Sequence, residues 1–154
     1  MTTQLPSTEN NLKTLYEQDY CLWLETTAKL LQERRLNEID FEDLIEELEG
    51  MSRREKEALF SNLQVALMHL LKYRYHPSKR SNSWRSCIRE HRKRVKRAFR
   101  NSPSLKPYFT EIFAECYQDA RELAADETGL SIETFPEQSP FTMEEILNTD
   151  YLPE

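Results

Sequence analysis

The sequence predicts an all-α protein, and three observations carry that expectation. Only 2 of the 154 residues are glycine, too few for sheets joined by tight hairpins, whose turns need positive φ. Apolar residues recur at helical spacing along most of the chain rather than alternating as in strands. The third observation is the run Leu59 to Leu71, in which nine of thirteen positions are apolar and none is Gly or Pro. A helix apolar around most of its circumference is buried against several neighbours. This one is too short and too closely flanked by charge to span a membrane. The expected architecture is a single compact, bundle-like domain of five or six helices over residues 11–154, built around a central apolar helix at about 53–75. Residues 1–10 are expected to be a disordered tail.

The elements follow in order. A first helix is expected from Asn11 to Arg34, because Leu12, Leu15, Tyr16, Tyr20, Trp23, Thr27, Leu30 and Leu31 share helical spacing. Asp19 falls inside that stripe, where a carboxylate needs a partner or hydrogen bonds. Asp40 is the expected N-cap of a second helix with Phe41, Leu44, Ile45, Leu48 and Met51 as its buried edge and Glu42, Asp43, Glu46 and Glu47 opposite. Gly50 interrupts the pattern, and Ser52-Arg53-Arg54-Glu55 reads as a capping box that restarts the chain as the central helix. Pro77 ends it.

Ser83 is the expected N-cap of a fourth helix, from Trp84 to about Arg100. Trp84, Cys87, Ile88, His91, Val95, Ala98 and Phe99 gather on one side, within a sector of about 120°. Arg85, Arg89, Arg92, Lys93, Lys96, Arg97 and Arg100 take most of the rest. Pro107 suits the first turn of a fifth helix, whose core stripe runs from Tyr108 to Ala124 and whose end is closed by Gly129 in the left-handed region. Thr142-Met143-Glu144-Glu145 forms a second capping box, opening a short last helix.

Composition removes several function classes. The scarcity of glycine excludes a Gly-rich phosphate loop. Cys21, Cys87 and Cys116 are single and odd in number, as expected for reduced thiols. Residues 1–10 lack the basic and apolar regions of a signal peptide; with no long apolar run, no membrane association and a cytoplasmic location are expected. Charge is uneven. Residues 79–100 hold ten Lys or Arg against one acid, Glu90, so this segment carries +9 and the rest of a chain of net charge −6 carries −15.

Ordered blocks along the chain carry a family resemblance. They are Tyr16-Glu17-Gln18-Asp19-Tyr20 with Trp23, Leu44-Ile45-Glu46-Glu47-Leu48-Glu49, His69-Leu70-Leu71-Lys72, Ser83-Trp84, Asn101-Ser102-Pro103-Ser104-Leu105, Phe135-Pro136 and Tyr151-Leu152-Pro153. Over about Leu15 to Pro153 the sequence resembles the bacterial family catalogued as domain of unknown function twenty-nine, abundant in cyanobacteria. That resemblance implies a small helical fold and supplies no activity, cofactor or catalytic residue. Tyr73 stands where many relatives carry tryptophan, which keeps an aromatic side chain at that position.

Two chemistries are open to these residues. Lys79, Arg80, Arg85, Arg89, Arg92, Lys93, Lys96, Arg97 and Arg100 form a basic set able to make phosphate contacts, which give salt-dependent and largely sequence-independent affinity. Nucleic acid or an acidic protein is the expected partner; pairing with the chain's own carboxylates, within the fold or across a homodimer, is the bland alternative. Trp84 would add base stacking if exposed. The alternative is a metal-dependent hydrolase or nuclease in which Asp19, Glu46, Glu49 and His69 converge within about 4 to 6 Å, a separation at which they would shift one another's pKa. No HExxH, zinc ligand set or nucleophile elbow occurs, so no catalytic residue, metal or cofactor is assigned. The reading is a non-catalytic binding or regulatory protein.

Overall fold

The computed structural model describes residues 9–154, and the described residues contain six α-helices, three 3-10 turns and no strand. The protein is all-α. The tail expected over 1–10 lies outside the described residues for positions 1–8, and α1 begins at Glu9. The helices are α1 (Glu9–Gln18), α2 (Tyr20–Gln32), α3 (Phe41–Tyr75), α4 (Asn82–Asn101), α5 (Leu105–Thr128) and α6 (Met143–Leu147). The chain divides into two compact units, Met1–Arg53 and Arg54–Glu154.

In the first unit the single helix expected over 11–34 is two helices. The chain breaks at Asp19, whose backbone leaves helical geometry at φ −145° and ψ 86° and whose carboxylate accepts a hydrogen bond from the Leu22 amide at 3.0 Å. The acid in the apolar stripe is therefore an exposed N-cap and not a buried ion. α2 closes without glycine: Arg34 takes the left-handed region at φ 59°, and the Arg35 amide bonds back to the Leu30 carbonyl at 2.9 Å. Leu12, Trp23, Leu30 and Ile39 form the core of this unit, with Leu15, Tyr16, Leu24, Leu31 and Leu44 packed around it.

The second expected helix and the central one are a single element. α3 runs through Gly50 without a break, since one glycine costs a helix only about 1 kcal/mol. Its N-terminal part also faces the other way from expectation. Phe41, Ile45, Leu48 and Met51, assigned to the interior, are 45–58% exposed. Glu47, assigned to solvent, is buried. The reason is a contact between distant parts of the chain: the Tyr16 hydroxyl donates to Glu47 Oε2 at 3.1 Å and the Tyr20 hydroxyl donates to Oε1. Two donors satisfy the carboxylate, so the Glu47 side of the helix can be covered. Asp40 does cap this helix, accepting from the Asp43 amide at 3.4 Å.

In the second unit the apolar run behaves as expected. Leu59, Leu63, Ala66, Leu67, Met68, Leu70 and Leu71 are all buried. Ile88, Val95 and Phe99 of α4 and Leu105, Phe109, Cys116, Tyr117, Ala120 and Ala124 of α5 complete one cluster with Phe135, Phe141 and Ile146. Tyr73 is buried too, an aromatic side chain in the core. α4 starts two residues earlier than expected: Ser81, not Ser83, accepts from the Trp84 amide at 3.2 Å. Gly129 closes α5 at φ 72°, and Thr142 with Glu145 makes the full capping box of α6. All three cysteines are free. The buried Cys116 thiol is pushed up to about 12 by burial, which keeps it protonated and inert at neutral pH.

Leu67 has no exposed surface in this cluster. Leu67→Ala is expected to lower stability by about 3 kcal/mol through lost burial and a residual cavity, read as an earlier urea midpoint with unchanged slope.

Candidate functional site

The residues singled out from the sequence separate into three kinds once placed. On α4 the buried stripe is Ile88, Arg92, Val95 and Phe99, spaced i, i+4, i+7 and i+11, which is one helix face. Arg92 sits at the middle of that stripe. It is 2% exposed and is the first correction to the basic set. Its guanidinium donates from Nε to the Ile146 carbonyl at 2.7 Å, from Nη1 to the Tyr151 carbonyl at 2.6 Å and from Nη2 to the Glu145 carbonyl at 3.0 Å. A planar fork of donors meets three carbonyls of the α6 region, which satisfies the charge inside the protein. Burial still holds the guanidinium below its ordinary range. Arg92 therefore fastens the C-terminal segment and cannot reach a ligand. The spacing to Ile88 and Val95 was the signal in the sequence that could have found this.

The remaining cations of α4 are on the surface. Using the helical period of 100° per residue, Arg85, Lys96, Arg89, Arg100, Lys93 and Arg97 fall within one sector of about 120°. Lys96 is half-buried and the other five are exposed. Among the described residues none of the six forms an ion pair; Arg85 donates to the Asn82 side chain at 2.6 Å. The one ion pair along this helix is Arg94 with Glu90 at 3.1 Å. Lys79 is exposed, but Arg80 is engaged: its Nε donates to the Tyr73 carbonyl at 2.6 Å and its guanidinium lies 4.3 Å from the Tyr73 ring centre. Trp84 is half-buried with the Lys72 ammonium 4.7 Å from its ring centre, so that contact already uses the indole π-face on which a base would stack.

The acidic alternative does not assemble as a metal group. Asp19 is spent on its cap. Glu46 and Glu49 are exposed on α3. His69 belongs to the second unit, where its Nδ1 donates to the Val65 carbonyl at 2.9 Å. Among the described residues no three His, Cys, Asp or Glu side chains gather as metal ligands. His69 instead feels the charges of a polar group that the sequence did not reveal. Lys72 is buried and donates to Glu127 at 2.7 Å, and the His91 ring bonds the Cys87 carbonyl at 2.8 Å. Burial lowers the His69 pKa most; the Val65 bond raises it, the charges of Lys72 and His91 lower it, and that of Glu127 raises it. A shallow opening of about 630 Å³ near the end of α5 is lined by Glu122, Asp126 and four further residues; it holds no cation side chain.

The class these features define is an all-α protein whose surface carries a charged helix face and whose buried charges are spent on structure. Residues 15–152 match the family described as Domain of unknown function DUF29, and the chain belongs to that family. No curated protein and no solved structure matches it. Among the described residues, no helix is long and apolar enough to cross a membrane.

Two outcomes follow. Arg92→Met leaves three carbonyls without donors, and the expected loss is about 3 kcal/mol; Arg92→Lys recovers only part of it, because an ammonium lacks the planar fork. Calorimetric unfolding reads both. For pH, the folded-state pKa of His69 lies below its unfolded value near 6.5, so folding favours the neutral ring. Its contribution is fully present above that unfolded value and is lost as pH falls through the folded pKa. Urea midpoints measured downward from neutral pH are expected to drop, and to drop less in His69→Gln.

Proposed function

We infer that this protein acts by binding, without catalysis, and that the surface face of α4 is a nucleic-acid contact. The single observation behind this reading is the row of six cations, Arg85, Arg89, Lys93, Lys96, Arg97 and Arg100, with no carboxylate partner among the described residues. Ions paired within the fold would have been neutralised; these are not. From Arg85 to Arg100 the row runs roughly 22 Å along the axis at 1.5 Å per residue. It thus offers a track of charge rather than a point. A track suits a backbone of regularly spaced phosphates, whose condensed counterions are released on contact. The occupied face of Trp84 argues for phosphate contacts alone, hence affinity with little sequence preference.

The protein's overall negative charge works with this arrangement. Outside residues 79–100 the chain carries a net charge of −15, which disfavours a polyanion there relative to α4. The six cations support four or five phosphate contacts, and the expected slope of log affinity against log salt is about −4 for duplex DNA. Lys93→Ala should reduce that slope by about one, and Arg89→Glu with Lys93→Glu should abolish binding while leaving the helical circular-dichroism signal unchanged. Fluorescence anisotropy with labelled single- and double-stranded DNA and RNA across a salt series reads each of these. Absence of binding at low salt by the folded protein would overturn the nucleic-acid reading and turn the face toward an acidic protein partner.

A further inference from the structure

We propose that the outer face of α5 is an acidic self-association surface, on which the cationic row of α4 from a second copy of this chain docks. Glu111, Glu115, Asp119, Glu122 and Asp126 are spaced i, i+4, i+8, i+11 and i+15, and at 100° per residue they fall within one sector of about 80°. Asp119 is half-buried and the other four are exposed. Among the described residues none of the five forms an ion pair; the α5 carboxylate that does, Glu127 with Lys72, lies off this sector. On α4, Arg85, Arg89, Lys93, Lys96 and Arg100 repeat the same spacing with the opposite sign. Each row runs roughly 22 Å, and no ion pair joins one row to the other within the described chain.

The complementarity selects the occupant. Laid antiparallel, Arg85 of one copy meets Asp126 of the other, Arg89 meets Glu122, Lys93 meets Asp119, Lys96 meets Glu115 and Arg100 meets Glu111. These five pairs share one centre to within about half a residue, or under 1 Å along the axis, so the whole of both rows is used and no like charges face each other. The antiparallel sense also sets the positive end of α4 beside the negative end of α5. Glu122 and Asp126 line the opening of about 630 Å³ at the end of α5, together with Ala125, Leu130 and the exposed Ile132. Arg85 and Arg89 of the second copy would enter it, their aliphatic stems on the apolar lining and their guanidinium groups on the carboxylates. Every other molecule of this chain carries a row of matching length, spacing and sign, which a basic partner of another kind need not. Exposed ion pairs are individually weak, so the contact is transient and salt-sensitive.

Sedimentation velocity of the full chain tests this, under reducing conditions that remove disulfide dimers through the exposed Cys21. A nucleic acid would use the same α4 face in place of a second copy, so none is present and the outcome is independent of that reading. At about 20 mM salt the wild type is expected to associate between about 10 µM and about 500 µM, as a small interface requires. At about 500 mM salt, where the screening length is roughly 4 Å, it is expected to be monomeric. Glu115→Lys with Glu122→Lys, and separately Arg89→Glu with Lys93→Glu, each weaken association by about tenfold through like-charge contacts. The helical signal is retained in both, because all four side chains are exposed. An equimolar mixture of the two variants regains association, since each supplies the intact row that the other lacks. A wild type monomeric throughout at low salt overturns the proposal. So does association that either folded variant retains, or a mixture of the two that fails to recover. A monomer whose α5 row takes up an oligo-arginine probe also overturns self-pairing, and assigns the row to a basic partner.

Discussion

The run from Leu59 to Leu71 must be covered on nearly every side, and the rest of its unit answers that requirement. Leu63, Leu67, Leu70 and Leu71 have no exposed surface, which no single neighbouring helix could achieve. Ile88, Val95 and Phe99 of α4 and the long stripe of α5 supply part of the cover. Phe135 and Phe141, from segments with little regular structure, and Ile146 of the short α6 supply the remainder. Those irregular segments need fastening, and α4 provides it through the three bonds of Arg92 to Glu145, Ile146 and Tyr151. A cation inside the core is thus a consequence of the apolar demand, since the chain that covers the run brings backbone carbonyls that need donors.

Each buried charge in the described chain is resolved by a different chemistry. Glu47 accepts from two tyrosine hydroxyls. Lys72 meets both a carboxylate and an indole face. Arg92 meets only carbonyls. Such groups destabilise a fold strongly when one partner is missing, so they specify one packing even where their net contribution is small. Among the described residues the carboxylates and the histidine picked out from the sequence, Asp19, Glu46, Glu49 and His69, do not gather as a metal group. Their polar atoms are already committed or lie in water.

What distinguishes the surface is therefore not a cleft but two helix faces. One, on α4, is cationic along its length. The other, on the N-terminal part of α3, is apolar with charge graded along its edge. Both are the opposite of what a helix needs for its own stability: like charges on neighbouring turns repel, and exposed apolar area gains nothing from folding. Membership of the DUF29 family assigns neither face a role; the binding role of the α4 face is the reading proposed above.

The sequence by itself determined the helical class, the burial of the apolar run within 59–71, the closing glycine at 129 and the capping box of Thr142 and Glu145, because each depends on residues a few positions apart; the box read at Ser52 to Glu55 lies inside the unbroken α3. Local rules are complete at that range. Tertiary structure decided the rest. Asp19 was legible as an anomaly in a stripe, but not as the N-cap at which α1 and α2 separate. No glycine marks the end of α2, since Arg34 takes the left-handed position instead. The N-terminal part of α3 has two faces of comparable claim, one apolar and one acidic. The Tyr16 and Tyr20 hydroxyls at Glu47 satisfy that one carboxylate inside, while Glu42 and Glu46 stay exposed. Periodicity measures which residues share a face; it cannot say which face finds donors, because those donors lie about 30 residues away and meet it only when the chain is folded.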